Sequence, residues 1–379
     1  PIEVSLFEYN IRFFGGLLSA YSLTRDKLYL DKAIEFADSV LSAFNTPTGI
    51  PASLFNFKTK SSRTHTWSVG GCSILSEFGT LQMEFAYLSE LTGNPIYSEK
   101  VDKIRKLVAS SLSRNSGLYY NHYNSATGSA CSNSISFGAM GDSFYEYLIK
   151  EYKRTNGKDV QGKQLFEESI EGAVKLGVYR TSKEGNAFLT TYSGSALSSM
   201  EHLTCFMGGT LAYSAPSKDH PNFSRGSKIT DTCRLSYVKS KWGIGPDKFY
   251  FTSDLEAVGA SLSDNIYIQR PEVVESYFYM WRLTKDTKYR DWAWDAVLGI
   301  NKTRTKFGFG GIQNVYNQNS SLDSTQQSFF LAETLKYLYL IFCEDDVISL
   351  DRWVFNTEAH PLPIHDKVNM GPSWKYSRK

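Results

Sequence analysis

One short pattern returns along the chain at nearly constant intervals, and it restricts the fold more than composition does. Leu23-Thr24-Arg25-Asp26-Lys27-Leu28-Tyr29, Leu91-Thr92-Gly93-Asn94-Pro95-Ile96-Tyr97 and Leu283-Thr284-Lys285-Asp286-Thr287-Lys288-Tyr289 each read Leu-Thr, then Asp or Asn, then Tyr. Their starts are 68 and 192 residues apart, and 192 is three times 64. Degenerate copies fall near Asn156–Asp159 and His220–Ser224. Each copy closes a hydrophobic helix, turns, and opens an amphipathic one. After the first, Leu30, Ala33, Ile34, Ala37, Leu41 and Phe44 form an apolar stripe at spacings of three and four. Val101, Ile104, Leu107 and Val108 do the same after the second.

Two helices per repeat of this length mean an array of helical hairpins. The first helix of each pair, over 5–22, 77–91, 142–154, 273–284 and 327–342, is apolar almost all round, as a helix covered on both sides should be. The second carries a Lys, Asp and Glu face for water. An open solenoid would expose the apolar helices, whereas a closed toroid buries them. The expectation is an all-α (α/α) barrel forming one domain over 1–379. Gly117–Phe137 and Thr181–Ser198, rich in Ser, Gly, Tyr and Asn, read as loops or short β-hairpins.

Carboxylates follow the same period. Glu8, Glu77, Asp142, Glu201 with His202, Glu272 and Glu333 are each set in an apolar or aromatic stretch, at gaps of 69, 65, 60, 70 and 61 residues counted through His202. Acidic groups are almost never fully buried without a partner or a task. Their shared phase predicts a ring of helices aiming ionisable groups at one pocket.

Composition excludes several classes of function. A formal charge of +2 with no basic block argues against nucleic-acid and membrane-surface partners. The sequence holds no apolar run long enough to span a bilayer, and a signal peptide is not expected within it. Aromatic residues make up 15% of the chain, enough to serve both a core and a sugar-binding cleft. Asn222-Phe223-Ser224, Asn301-Lys302-Thr303 and Asn319-Ser320-Ser321 permit N-glycosylation in a lumen. Of five cysteines at least one is unpaired. Cys205 and Cys233 sit where a bridge would staple one hairpin, with buried free thiols as the alternative; Cys72, Cys131 and Cys343 stay unassigned.

The blocks FEYNIRFFGGLLSAY, TPTGIP, EFGTLQMEFAYLSELTG, GDSFYEYL, HLTCF, RPEVVES, SFFLAETLKYLYLIF and VFNTEAHPL, spread in this order from Phe7 to Ile364, resemble the signature blocks of class I α-1,2-mannosidases, glycoside hydrolase family 47. The resemblance implies an (αα)7 barrel, in agreement with the repeat. It also implies Ca²⁺-dependent, inverting removal of terminal α-1,2-linked mannose from high-mannose N-glycans.

Inverting hydrolysis needs one carboxylic acid to protonate the leaving oxygen and one carboxylate to activate water on the other sugar face. By the resemblance, Glu272 is similar to the general base, and Glu8 or Asp142 to the general acid. Taken singly, each of these carboxylates also reads as half of an ion pair with Arg12 or Arg270. Arg12 and Arg270 are expected to offer forked donors to sugar hydroxyls. Phe329 is expected on the sugar's apolar face, with Glu77, Glu275, Glu333 and His202 as further substrate-binding groups and Glu84 lining the same cavity. Thr357 resembles a Ca²⁺ ligand acting through its hydroxyl and carbonyl oxygens. In the resembling family, the position of Met140 is an arginine in enzymes that stop after one mannose. Met140 therefore predicts trimming from nine or eight mannoses toward five.

Family members begin about one helical hairpin earlier, so the first hairpin of the barrel is expected to be absent from this chain, together with the family's usual membrane anchor. The expected setting is the Golgi or endoplasmic-reticulum lumen, with no direct membrane contact from this chain. A quality-control or lectin-like member of the same fold, and a non-catalytic α/α scaffold, are the competing expectations.

Overall fold

The computed structural model describes residues 3–110, 112 and 114–369; the remaining residues of the expected 1–379 domain lie outside the described residues. The repeated pattern proves to be a helix stop followed by a helix start. Thr24, Thr92 and Thr284 each donate their hydroxyl to the carbonyl four residues back, at 2.7, 2.8 and 2.6 Å. The same hydroxyls accept the backbone N–H of Asp26, Asn94 and Asp286 at 3.2, 3.2 and 3.1 Å. Between them Arg25, Gly93 and Lys285 end the helix in the left-handed region, at φ 63°, 69° and 61°. For Arg25 and Lys285 that conformation costs about 1 kcal/mol. Asp26, Asn94 and Asp286 then cap the following segment by accepting the N–H of Leu28, Ile96 and Lys288. The degenerate copy at Asn156–Asp159 keeps the device: Thr155 Oγ1 donates to Glu151 O and accepts Asp159 N–H.

The chain forms two compact units. The first comprises the described residues within 1–136, 140–173 and 350–379, the second those of 137–139 and 174–349. In the first unit the hairpins are Gly15–Thr24 with Lys27–Val40, Gln82–Thr92 with Ile96–Ser110, and Asp142–Arg154 with Val160–Lys175. Phe14, Phe44 and Phe85 interlock edge to face at centroid distances of 5.2 and 5.3 Å. In the second unit Phe206–Ser214 pairs with Pro221–Val238 and Glu272–Thr284 with Lys288–Asn301, over a core including Phe278, Tyr279 and Tyr337.

Three expected inner helices differ in detail. The 5–22 helix carries a π-helical stretch, Asn10–Phe14, and the 327–342 helix another, Phe330–Leu335. The 77–91 helix is two, Leu75–Gly79 and Gln82–Thr92. A Cβ on Gly79 would lie 2.5 Å from the Phe144 ring, so the neighbouring helix packs directly on its backbone. Thr80, in the break, is bonded through its carbonyl to Asn10 Nδ2 and through its hydroxyl to Ser143.

Strands are short and confined to hairpins and small antiparallel sheets. The hairpin Trp353–Phe355 with Pro361–Pro363 presents the turn 356–360. Both expected hairpin regions hold strands, among them Leu118–Tyr119 and Tyr179–Thr181 with Ala187–Leu189. The Cys205–Cys233 bridge forms, between two buried cysteines of the second unit. A second bridge, Cys72–Cys131, staples the first unit, and Cys343 is a free thiol. Among the described residues no helix is long and apolar enough to cross a membrane.

Candidate active site

The first unit gathers one set of the expected groups. Glu8 stands in the first turn of Leu6–Tyr9, a helix capped by Ser5. Its Oε2 accepts from Arg12 Nε at 2.7 Å, one turn on and inside the π-helical stretch. Arg12 Nε also lies 3.8 Å from Oε1 of Glu358, which is buried. Glu77 is bonded to His65 Nε2 at 3.0 Å, and its Oε2 is buried without a hydrogen bond among the described residues. Burial pushes the Glu77 carboxyl up; the nearby Ser53 hydroxyl and then His65 oppose this, and the charge of Glu8 adds to it. Asp142 opens the helix Asp142–Arg154 and is half-buried, with Oδ1 on the N–H of Ser143 at 2.8 Å. Two residues earlier, Met140 holds a left-handed φ of 74°, and its carbonyl accepts from Ser76 N–H. Thr357 lies in the 356–360 turn, its N–H 3.4 Å from the Tyr147 hydroxyl.

The second unit gathers the rest. Glu272 opens the helix Glu272–Thr284 directly after Pro271, with its side chain 11% exposed. Its Oε2 meets His202 Nδ1 at 2.7 Å, and His202 Nε2 meets the Tyr237 hydroxyl at 2.8 Å. Tyr237 is held protonated by burial and by the nearby Tyr267, Tyr277 and Glu272. Its O–H can therefore donate to Nε2, which leaves the Nδ1 proton for Glu272. Burial pushes the Glu272 carboxyl up, but the His202 hydrogen bond and the charge of Arg270 outweigh it and hold the group below the usual glutamate range. Arg270 is itself anchored through Nε on Asp247.

Gln269, immediately before Arg270, fixes this segment. It is 1% exposed with φ 68°. Its side chain accepts from Gln327 N–H and donates to Phe309 O, and its carbonyl accepts from Thr334 Oγ1, each at 2.7 Å. Thr334 and Glu333 share the π-helical stretch, so Gln269 couples the Arg270–Glu272 segment to the helix of Glu333. Glu275 accepts from the Tyr337 hydroxyl at 3.3 Å, and Phe329 is half-buried at the start of the π-helical stretch.

Two expectations change. His202 is not placed to bind substrate directly: it is 1% exposed and both ring nitrogens are engaged, so it orients Glu272 instead. Glu84 does not line a cavity; it is fully buried and bonded to Asn10, Tyr147 and Asn356. The sequence reading missed Glu358, Asp247, His65 and Tyr237. Glu358 adjoins Thr357 in a block already recognised, so only its neighbour's prominence hid it. The other three become partners through folding, at separations no local pattern marks.

A protein-family model described as glycosyl hydrolase family 47 matches residues 1–364. The chain is 48% identical over 368 residues to mannosyl-oligosaccharide alpha-1,2-mannosidase IA of Drosophila melanogaster, covering 96% of this chain and 55% of that protein. It is 45% identical over 379 residues to human mannosyl-oligosaccharide 1,2-alpha-mannosidase IC, covering 98% of this chain and 59% of that protein. The chain thus spans somewhat over half the length of these relatives. Among solved structures, the alpha-1,2-mannosidase from Trichoderma reesei superposes with a TM-score of 0.86 at 29% identity, covering 96% of this chain and 82% of that one. That match bears out the expected fold class, helical hairpins of the α/α toroid type with short β-hairpins.

Proposed function

The chain belongs to glycosyl hydrolase family 47, and from that premise we propose that it removes terminal α-1,2-linked mannose from high-mannose N-glycans, with inversion and with dependence on Ca²⁺. The observation that carries the proposal is Glu272, a buried carboxylate kept ionised by His202 and Arg270 at the start of a helix. In the proposed reaction Glu272 takes a proton from water as the water oxygen bonds to the anomeric carbon. The bond from that carbon to the leaving oxygen breaks, and this oxygen receives a proton from Glu8 or Asp142. Arg12, Arg270, Glu77, Glu275 and Glu333 would bind sugar hydroxyls, and Phe329 the apolar ring face.

Thr357 fits the expected cation. Among the described residues neither its hydroxyl nor its carbonyl is taken up by a hydrogen bond, so one residue offers two hard oxygen donors. No group of three or more His, Cys, Asp or Glu suited to a metal occurs among the described residues. Oxygen donors from Thr357 completed by water and sugar hydroxyls match the preference of Ca²⁺ for six to eight oxygens. Bound there, Ca²⁺ would supply positive charge to order those hydroxyls.

A luminal, oxidising setting such as the Golgi is supported by the two disulfides. Of the sequons, Asn301 and Asn319 are exposed and open to glycosylation, whereas Asn222 is buried against Ser214. Met140, without a donor, supports trimming past one mannose, because it lacks the charge-assisted bonds by which an arginine would select one branch.

The deciding assay follows release of mannose from a nine-mannose glycan over time, with and without chelator. Loss on chelation, recovery with Ca²⁺ and an end point near five mannoses are expected. Full activity after exhaustive chelation, or an end point at eight, overturns the corresponding claim. With an aryl mannoside whose leaving group needs no proton, the acid variant, Glu8→Gln or Asp142→Asn, regains most of its rate, and this separates the two.

A further inference from the structure

Glu84 is a buried carboxylate that the proposed mechanism does not use. It lies on Gln82–Thr92 at 0% exposure, and among the described residues no cation pairs with it. Its Oε1 accepts from the Tyr147 hydroxyl at 2.6 Å and from Asn356 Nδ2 at 2.9 Å, and its Oε2 from Asn10 Nδ2 at 3.0 Å. A buried charge satisfied only by neutral donors is a costly way to fill a core.

The donors lead to one place. By drawing Asn356 Nδ2 toward itself, Glu84 turns Asn356 Oδ1 toward the 356–360 turn, where it accepts the N–H groups of Glu358 and His360 at 3.0 and 2.9 Å. The same Nδ2 also reaches Ile11 O, and a Cβ on Gly15 would lie 2.3 Å from it, so the amide has no room to swing. Tyr147, donating to Glu84, leaves its oxygen facing the Thr357 N–H. The turn is tight, closed by Asn356 N–H on His360 O and Ala359 N–H on Asn356 O, with Ala359 at φ 56°. A non-glycine residue there costs about 1 kcal/mol, which contacts outside the turn must offset.

Resting on the metal reading above, we propose that Glu84, acting through Asn356 and Tyr147, is the positioning residue for the turn that carries Thr357, and that it aims the Thr357 oxygens at the cation. Through Asn10 the same carboxylate also anchors the π-helical stretch of Arg12.

The test measures the rise in melting temperature as Ca²⁺ is added back to chelated protein, for the parent chain, Glu84→Gln, Tyr147→Phe and Tyr145→Phe. Tyr145 is a control: equally buried, it bonds the Tyr119 backbone and not the turn. The Ca²⁺ midpoint is expected to rise about ten- to a hundred-fold in Glu84→Gln and Tyr147→Phe, as for other groups that orient a metal ligand. Tyr145→Phe is expected to lower the melting temperature of the chelated protein without moving the midpoint. Tyr147→Phe removes one oxygen only, so it keeps the test decisive if Glu84→Gln fails to fold. Unmoved midpoints in a Ca²⁺-responsive parent overturn this proposal alone. A parent with no Ca²⁺ response overturns the metal reading and this proposal with it.

Discussion

Glu272 and Glu84 are two buried glutamates on helices, one in each unit, with opposite electrostatics. Glu272 faces His202 and the charge of Arg270, which hold its carboxyl below the usual range against burial. Among the described residues Glu84 has only neutral donors, chiefly Tyr147, Asn356 and Asn10, and burial outweighs their hydrogen bonds and pushes its carboxyl up. A side chain that must accept a proton during turnover needs a compensated charge. One that only orients neighbours is served by neutral donors in a closed shell. Burial alone therefore does not mark a catalytic carboxylate; the charge of its neighbours does.

The largest effect that can break this contrast is on turnover. Glu272→Gln is expected to lower kcat by about a hundred- to ten-thousand-fold, the range for losing a general base, while an iminosugar still binds. Turnover near the parent's in the variant would place the base elsewhere.

The disulfides allow a comparison of the units as structures. Replacing Cys205 and Cys233 by serine is expected to cost about 2–5 kcal/mol of stability, measured by denaturant unfolding. The same change at Cys72 and Cys131, whose ring is longer by 59 against 28 residues of separation, is expected to cost at least as much in a chain-entropy account. A markedly cheaper loss at Cys72 and Cys131 would mean that the first unit is held by packing alone.

His202→Phe keeps a ring but removes the bond that lowers the Glu272 pKa. The acidic limb of the kcat/KM profile is expected to move to higher pH, and on its acid side each step of one in pH lowers the rate about tenfold. A limb that stays in place would show that Arg270 alone sets the charge state of Glu272.

The smallest effect is on the pH dependence of folding. A depressed folded pKa makes Glu272 contribute stability above its unfolded value near 4.5, lost as pH falls through the folded value. A raised one makes Glu84 contribute below 4.5, lost as pH rises through its folded value. Above about pH 4.5 the parent's margin over Glu84→Gln is therefore expected to narrow as pH rises, whereas its margin over Glu272→Gln narrows as pH falls below about 4.5. Each change amounts to about 1.4 kcal/mol for every tenfold difference between the folded and unfolded acid constants, read from denaturant unfolding on both sides of that pH. Parallel curves for the two variants would erase the distinction.

Much of this was legible along the chain. The stop-and-start pattern at Thr24, Thr92 and Thr284 is local chemistry, a hydroxyl, a left-handed residue and an Asx cap within a few positions, so it is written where it acts. The phase of Glu8, Asp142, Glu272 and Glu333 was visible for the same reason. What was not visible is pairing. His202 reads the same whether it faces a sugar or a carboxylate, and only folding brings Tyr237 to its far nitrogen. Glu77 and Glu84 stand two turns apart in one block, yet one keeps an unbonded oxygen and the other has none.

The sequence by itself determined the hairpin period, the helix boundaries at each repeat and the set of ionisable residues, because these depend on contacts within a few residues. Only the tertiary structure decided which carboxylate has charged partners and which has neutral donors alone. It also decided where the Leu75–Thr92 run breaks and that Cys72 joins Cys131. Those outcomes turn on desolvation and on partners 50 to 70 or more positions away, such as Glu272 for His202 and Asn356 for Glu84. No local propensity records them.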